Sequence, residues 1–164
     1  MHGVDLRRIL ICGGDCKVSA NAVDLFCTVL GSCIAACIYD PVAGIGGMNH
    51  YLLPRSKGDG RSARYGEEAL PMLVERLCRS GAVAGRLRAK IYGGAATLVS
   101  DTDIGQMNID MARGFLASQR IEIADTDLGG RTARWIKFHP ATGRSYIKVA
   151  PDRALPAARH ALAI

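Results

Sequence analysis

Cys33-Ile34-Ala35-Ala36-Cys37-Ile38-Tyr39-Asp40-Pro41-Val42-Ala43-Gly44-Ile45-Gly46-Gly47-Met48-Asn49-His50-Tyr51-Leu52-Leu53-Pro54 is the stretch that decides the fold. Residues 33 to 39 form an apolar run of strand length. Asp40-Pro41-Val42-Ala43-Gly44 follows as a strong turn signal, because Pro presets φ while Asp and Gly supply turn chemistry. Gly46 to Leu53 returns as a strand and is stopped by Pro54. The segment therefore reads as a β-hairpin with Cys33 at its entry and His50 near its exit.

The hairpin geometry bears on chemistry. If Asp40-Pro41-Val42-Ala43 is a four-residue turn, Cys33 and His50 face each other directly, with Cβ atoms about 5 Å apart. A loop longer by two residues makes them a diagonal pair on the same face, and a slip of one residue separates them. A nucleophilic cysteine needs a base beside it, because the thiolate is the reactive form. Of the four histidines, His2 is terminal, His160 lies in a terminal tail and His139 precedes Pro140 in a turn. His50 alone sits within a predicted strand. Cys27 and Cys37 are rival nucleophiles, Cys37 lying deeper in the apolar run. Gly31-Ser32 ahead of Cys33 lets a substrate approach and leaves backbone N–H groups for an oxyanion. On geometry alone, core packing of the cysteine and histidine remains an open alternative.

Working outward, strands are predicted over Arg8–Cys12, around Val18, over Leu25–Leu30, Leu87–Tyr92, Ile121–Thr126, Ala133–Phe138 and Ser145–Val149. Arg55 to Tyr65 is polar and Gly-rich and reads as a mobile surface loop. Leu70, Leu73, Val74, Leu77 and Cys78 repeat at helical spacing up to Gly81, which places Pro71 in the first turn of that helix. A second helix is predicted over Ile104–Ser118, with Ile109, Ala112 and Leu116 on its buried stripe. From Pro151 the chain reads as an Ala-rich fraying tail. The expected architecture is one α+β domain spanning 1–164, with a core over about 8–150. It has layered mixed and antiparallel sheets and two main helices, without the regular alternation of a doubly wound sheet.

Composition narrows the function classes. The chain has 164 residues, close to half of them apolar, which suits one folded domain and argues against disorder. No apolar stretch reaches membrane-spanning length and the N-terminus lacks a signal-peptide pattern, so a cytoplasmic protein is expected. The six cysteines form no CxxC pair, so neither a structural metal site nor a disulfide framework is read from them. All except Cys33 read as small buried hydrophobes. The net charge of +6 is carried mainly by scattered arginines without aromatic interleaving, which favours an acidic protein partner over nucleic acid. The arginines from Arg131 to Arg153 read as exposed faces of hairpins. Asp101-Thr102-Asp103 and Asp125-Thr126-Asp127 lack the continuation of a calcium loop and read as turn residues and helix caps.

Several segments together resemble one family. Thr28-Val29-Leu30-Gly31-Ser32-Cys33, Tyr39-Asp40-Pro41 and Gly47-Met48-Asn49-His50-Tyr51-Leu52-Leu53-Pro54 are similar to the core of the CheD proteins, the chemoreceptor glutamine deamidases of bacterial chemotaxis. Tyr92-Gly93-Gly94-Ala95-Ala96, Ile104-Gly105-Gln106-Met107-Asn108, Asp127-Leu128-Gly129-Gly130-Arg131 and Phe138-His139-Pro140-Ala141-Thr142-Gly143-Arg144 continue the resemblance in order. It implies a cysteine amidohydrolase that converts receptor glutamines to glutamates and hydrolyses glutamyl methyl esters. Cys33 would be the nucleophile and His50 the base, with Thr28 orienting the imidazole and Gly31 and Ser32 positioning the oxyanion. No cofactor or metal is implied. The implied partners are chemoreceptor cytoplasmic helices and a CheC-like phosphatase, with no membrane insertion; a receptor- or CheC-binding adaptor with weak turnover is the alternative. The chain departs from the family pattern at Cys27, where a threonine is usual beside Thr28, and at Met107, where an arginine is usual. Ile11-Cys12-Gly13-Gly14-Asp15 matches poorly and receives no role.

Overall fold

The computed structural model describes residues 3–58, 60–97 and 102–151. The decisive hairpin is present as β4 (Ile34–Asp40) and β5 (Ile45–Tyr51). Asp40 organises its turn: Oδ1 accepts the Val42 and Ala43 N–H groups, while Oδ2 accepts the Val83 N–H and both oxygens receive the Arg86 guanidinium. Asp40 pairs with Ile45, so the turn closes on residues 41–44 and His50 lies opposite Ala35. The direct opposition of Cys33 and His50 is thereby corrected to the diagonal, same-face arrangement.

Both strands are buried along their full length because both faces of their sheet are covered. That sheet has the order β2-β5-β4-β6-β7, with β2 at Cys16–Ser19, β6 at Arg88–Gly93 and β7 at Glu122–Leu128. A second sheet, β1-β3-β8-β9, is built from Arg7–Leu10, Asp24–Leu30, Arg134–His139 and Arg144–Val149. On β4, Ile34, Ala36 and Ile38 pack with helices α1 (Gly66–Arg79) and α2 (Ile104–Ser118). Ala35, Cys37 and Tyr39 point the other way, into a core shared with Phe26, Leu30, Ile136 and Phe138 of the second sheet. The result is an α+β fold in three layers: sheet, sheet, helices. Sheet alternation therefore sorts every functional side chain into one of two cores.

Four expectations are corrected. Helix α1 begins at Gly66, so Pro71 lies in its interior rather than its first turn. The Gly66 and Glu67 N–H groups donate to Leu53 O and Pro54 O, which caps an earlier start than the apolar spacing suggested. Cys78 is exposed and Val74 only half-buried; the buried stripe of α1 is Gly66, Ala69, Leu70, Leu73 and Leu77. Cys12 is exposed as well and Cys27 half-buried, so only Cys16 and Cys37 of those five cysteines are buried hydrophobes. Arg134 is buried, its guanidinium held by Asp127 Oδ1, Gly93 O and Gly129 O rather than by solvent. The tail from Asp152, His2 and His160 lie outside the described residues.

Candidate active site

Thr28 faces inward from β3 beside Phe26 and Leu30, and His50 faces inward from β5 beside Met48. The two therefore meet between the sheets. Cys33 belongs to the same core and ends the Gly31-Ser32-Cys33 crossover that carries the chain from one sheet to the other. All three are nearly inaccessible: Thr28 and Cys33 are 3% exposed and His50 is 6%.

The hydrogen bonds set the histidine tautomer. Thr28 Oγ1 donates to Ile11 O at 2.7 Å and lies 2.9 Å from His50 Nδ1. A hydroxyl has one proton. With that proton on Ile11 O, the threonine oxygen accepts from Nδ1–H, and the lone pair of the imidazole resides on Nε2. Nε2 is buried and has no hydrogen-bond partner among the described residues. One nitrogen of this buried imidazole is thus fixed by a hydrogen bond while the other keeps its lone pair unengaged.

Electrostatics favour the uncharged forms. Burial pushes the Cys33 thiol up to about 11, opposed only by its own main-chain N–H. Burial also holds His50 below 6.5, opposed by Ile11 O and the charge of Asp15. The resting pair is thus thiol and neutral imidazole, not thiolate and imidazolium. Carried one residue beyond the start of β4, the hairpin register sets Cys33 on the diagonal from His50, a separation typically about 7–8 Å between backbones. The rival cysteines differ in setting. Cys27 lies on β3 between Phe26 and Thr28 and is turned away from the inter-sheet core. Cys37 is wholly buried within that core, and burial raises its thiol further still.

Two contributions to the site escaped the sequence reading. The first is the segment Ile11 to Asp15, which wraps against β5: the Gly14 N–H donates to His50 O, the His50 N–H donates to Asp15 O, and Ile11 O anchors Thr28. Its Gly-Gly-Asp turn was the available signal, since such turns bring backbone close to a neighbour. The second is Asn108 on α2, wholly buried, whose amide reaches Ser32 O and Leu52 O. A polar residue on the apolar stripe of a predicted helix was its signal.

Other candidates fall away from this centre. Asp103 is the N-cap of α2, accepting the Gln106 N–H, and Asp125 and Asp127 bind Tyr92 and Arg134. His139 bonds to Thr142 and Ala22 O. Among the described residues no group of His, Cys, Asp and Glu could hold a metal ion, and no helix is long and apolar enough to cross a membrane. A cavity of about 1130 Å³ lies between Leu53–Lys57 and the Met107–Phe115 side of α2. A smaller one of about 170 Å³ opens beside Ser32, Ala95 and Gly105, and the two share Thr102 and Ile104.

A thiol, an imidazole of fixed tautomer, a threonine hydroxyl bonded to it and a crossover of small residues are thus set between two sheets of an α+β fold. Comparison with known proteins specifies the family. A family model described as CheD chemotactic sensory transduction matches residues 52–149. A probable chemoreceptor glutamine deamidase CheD of Acidiphilium cryptum is 45% identical over 144 residues, covering 85% of this chain and 76% of that protein. Probable chemoreceptor glutamine deamidase CheD 1 of Ruegeria sp. is 43% identical, covering 90% of this chain and 80% of that protein. The chain belongs to the CheD family. The crystal structure of Bacillus licheniformis hypothetical protein YfiH is similar at a TM-score of 0.48 and 14% identity, over 69% of this chain and 50% of that one.

Proposed function

We propose that this protein is a cytoplasmic glutamine deamidase that acts on the cytoplasmic helices of chemoreceptors with Cys33 as its nucleophile. The names of its relatives support the substrate. The observation that carries the chemistry is the Ile11–Thr28–His50 relay, which leaves Nε2 as the unengaged nitrogen of a buried imidazole.

In this reading His50 Nε2 takes the Cys33 proton as sulfur attacks the carboxamide carbon. The oxyanion is met by main-chain N–H groups of the Gly31-Ser32-Cys33 crossover. The imidazolium returns its proton to the nitrogen as the C–N bond breaks and ammonia leaves, which gives a thioester. A water molecule, deprotonated by His50, then cleaves the thioester to glutamate and regenerates the thiol. The net reaction consumes one water per ammonia released, and a glutamyl methyl ester would follow the same course with methanol as leaving group. No cofactor enters this chemistry, and a CheC-like phosphatase is the further partner we assign.

The test is ammonia release and intact mass on a glutamine-bearing chemoreceptor cytoplasmic fragment. Wild type should release ammonia with the amide-to-acid mass increase, and Cys33→Ala and His50→Ala should not. An inactive wild type on a folded receptor fragment would favour an adaptor that binds receptor or phosphatase without turnover, a role to which the burial and raised pKa of Cys33 lend themselves.

A further inference from the structure

Asn108 spends both of its side-chain donors on carbonyls of the site. Nδ2 donates to Ser32 O and to Leu52 O, each at 2.9 Å. Ser32 immediately precedes Cys33, and Leu52 lies two residues beyond His50. The main-chain carbonyl of Asn108 accepts the Tyr51 hydroxyl at 2.6 Å, so α2 is tied to both arms of the site. Oδ1, by contrast, is buried without a hydrogen-bond partner among the described residues. Turning the amide over would set Oδ1 against two carbonyl oxygens, so the orientation is determined by the partners. The fold thus tolerates an orphaned acceptor in order to grip Ser32 O and Leu52 O.

The grip has a stereochemical consequence. Gly31 O accepts from the Ala95 N–H and Cys33 O from the Gly94 N–H, each at 2.9 Å. With Ser32 O held by Asn108, all three carbonyls of the crossover are engaged, two by Gly94 and Ala95 just after β6 and one by α2. A trans peptide is planar, with N–H and C=O pointing in opposite directions. Holding Ser32 O toward Asn108 therefore turns the Cys33 N–H away from α2. Close packing makes this possible: a Cβ on Gly105, one helical turn before Asn108, would lie 2.3 Å from Gly94 O. The bare glycine lets the first turn of α2 press onto the loop and bring Asn108 over Ser32.

We infer that Asn108 is a positioning residue that locks the Ser32–Cys33 peptide and so fixes the direction of the Cys33 N–H, the donor that the proposed mechanism assigns to the oxyanion. The inference rests on Cys33 being the nucleophile. Without the lock the peptide can rotate, withdrawing the donor and presenting Ser32 O to a negatively charged oxygen. One oxyanion donor is worth about 10²–10³ in kcat.

The experiment compares wild type, Asn108→Asp, Asn108→Ala and Cys33→Ala in ammonia release from a glutamine-bearing receptor fragment. Alkylation of Cys33 by iodoacetamide across the alkaline range is followed in parallel, since that displacement forms no oxyanion and reads only thiol ionisation and access. Asn108 variants should lose about 10²–10³ in kcat, with KM changed by less than about threefold and an unaltered alkylation profile. Full kcat in a folded Asn108 variant overturns the inference. So does an alkylation rate that falls in step with kcat, which would mark a general loss of structure. Turnover by Cys33→Ala overturns the nucleophile itself, and this inference with it. Should neither Asn108 variant fold, wild type carries the test through the hemithioacetal that Cys33 forms with a peptide bearing glutamate semialdehyde. The Cys33 amide proton should move downfield on that adduct, and an unmoved resonance overturns the inference.

Discussion

Thr28 Oγ1 stands 2.9 Å from His50 Nδ1 while its proton is committed to Ile11 O. The threonine thus acts as an acceptor toward the histidine, and the acceptor role originates in a main-chain carbonyl rather than a carboxylate. No negative charge is placed beside the imidazole by this relay. Orientation and tautomer are its contribution, in a pocket where burial already disfavours the imidazolium.

Thr28→Val removes both the acceptor and the anchor while keeping the shape. The kcat of ammonia release should fall at least ~10-fold, the worth of one hydrogen bond to a reacting group. Thr28→Ser, which restores the hydroxyl, should recover most of the loss. Equal activity of the valine and serine variants would remove Thr28 from the site.

The resting protonation states predict a pH profile. His50 is held below 6.5, so if it is the proposed base, the acid limb of kcat/KM should lie below that value. Cys33, pushed up to about 11, should alkylate ever faster as pH rises beyond 9 in the protein alone. An alkylation plateau reached near neutral pH would instead reveal a thiolate–imidazolium pair.

Stability should narrow from both sides. Below 6.5 the unfolded chain binds a proton at His50 that the folded chain resists, so stability falls as pH drops. Above 9.0 the unfolded chain releases the Cys33 proton that the folded chain retains to about 11, so stability falls as pH rises. Each group contributes a slope of at most about 1.4 kcal/mol per pH unit. Urea midpoints between pH 9 and 10 should therefore decline less in Cys33→Ala than in wild type, and parallel declines would refute the assignment.

Asp40→Asn tests the hairpin turn. The carboxylate accepts three main-chain N–H groups and Arg86, and these contacts hold its acidity below the usual carboxylate range. Replacing it with an amide removes charge-assisted acceptors and should cost about 1–3 kcal/mol, read as a lowered Tm. An unchanged Tm would mean that the network adds nothing net.

Gly93→Ala should be worse tolerated. Gly93 has φ +112°, and a Cβ there would lie 2.1 Å from Cys33 O. Strain and clash together should exceed about 1 kcal/mol and displace the crossover, so that thermal stability and ammonia release fall together.

Much of the fold was legible because alternation and turn chemistry are local. The run before Asp40-Pro41 and the run after it declare two strands, and the period of Ile109, Ala112 and Leu116 declares the buried side of α2. The start of α1 was not legible, since the carbonyls of Leu53 and Pro54 that cap it lie in a loop a dozen residues earlier. Arg134 was misread for the same reason: its partners at Gly93 and Asp127 come from other strands.

Within the candidate site, sequence alone determined the cysteine and histidine on one hairpin, because a two-residue period keeps Cys33 and His50 on one face in either even register. Family resemblance added a threonine. Tertiary structure decided what surrounds them: Ile11 O behind Thr28, and Asn108 behind the crossover. Periodicity encodes which face of an element is buried, but not which distant chain segment brings its carbonyl or amide there. That choice is made by the packing of two sheets and a helix layer around one strand pair.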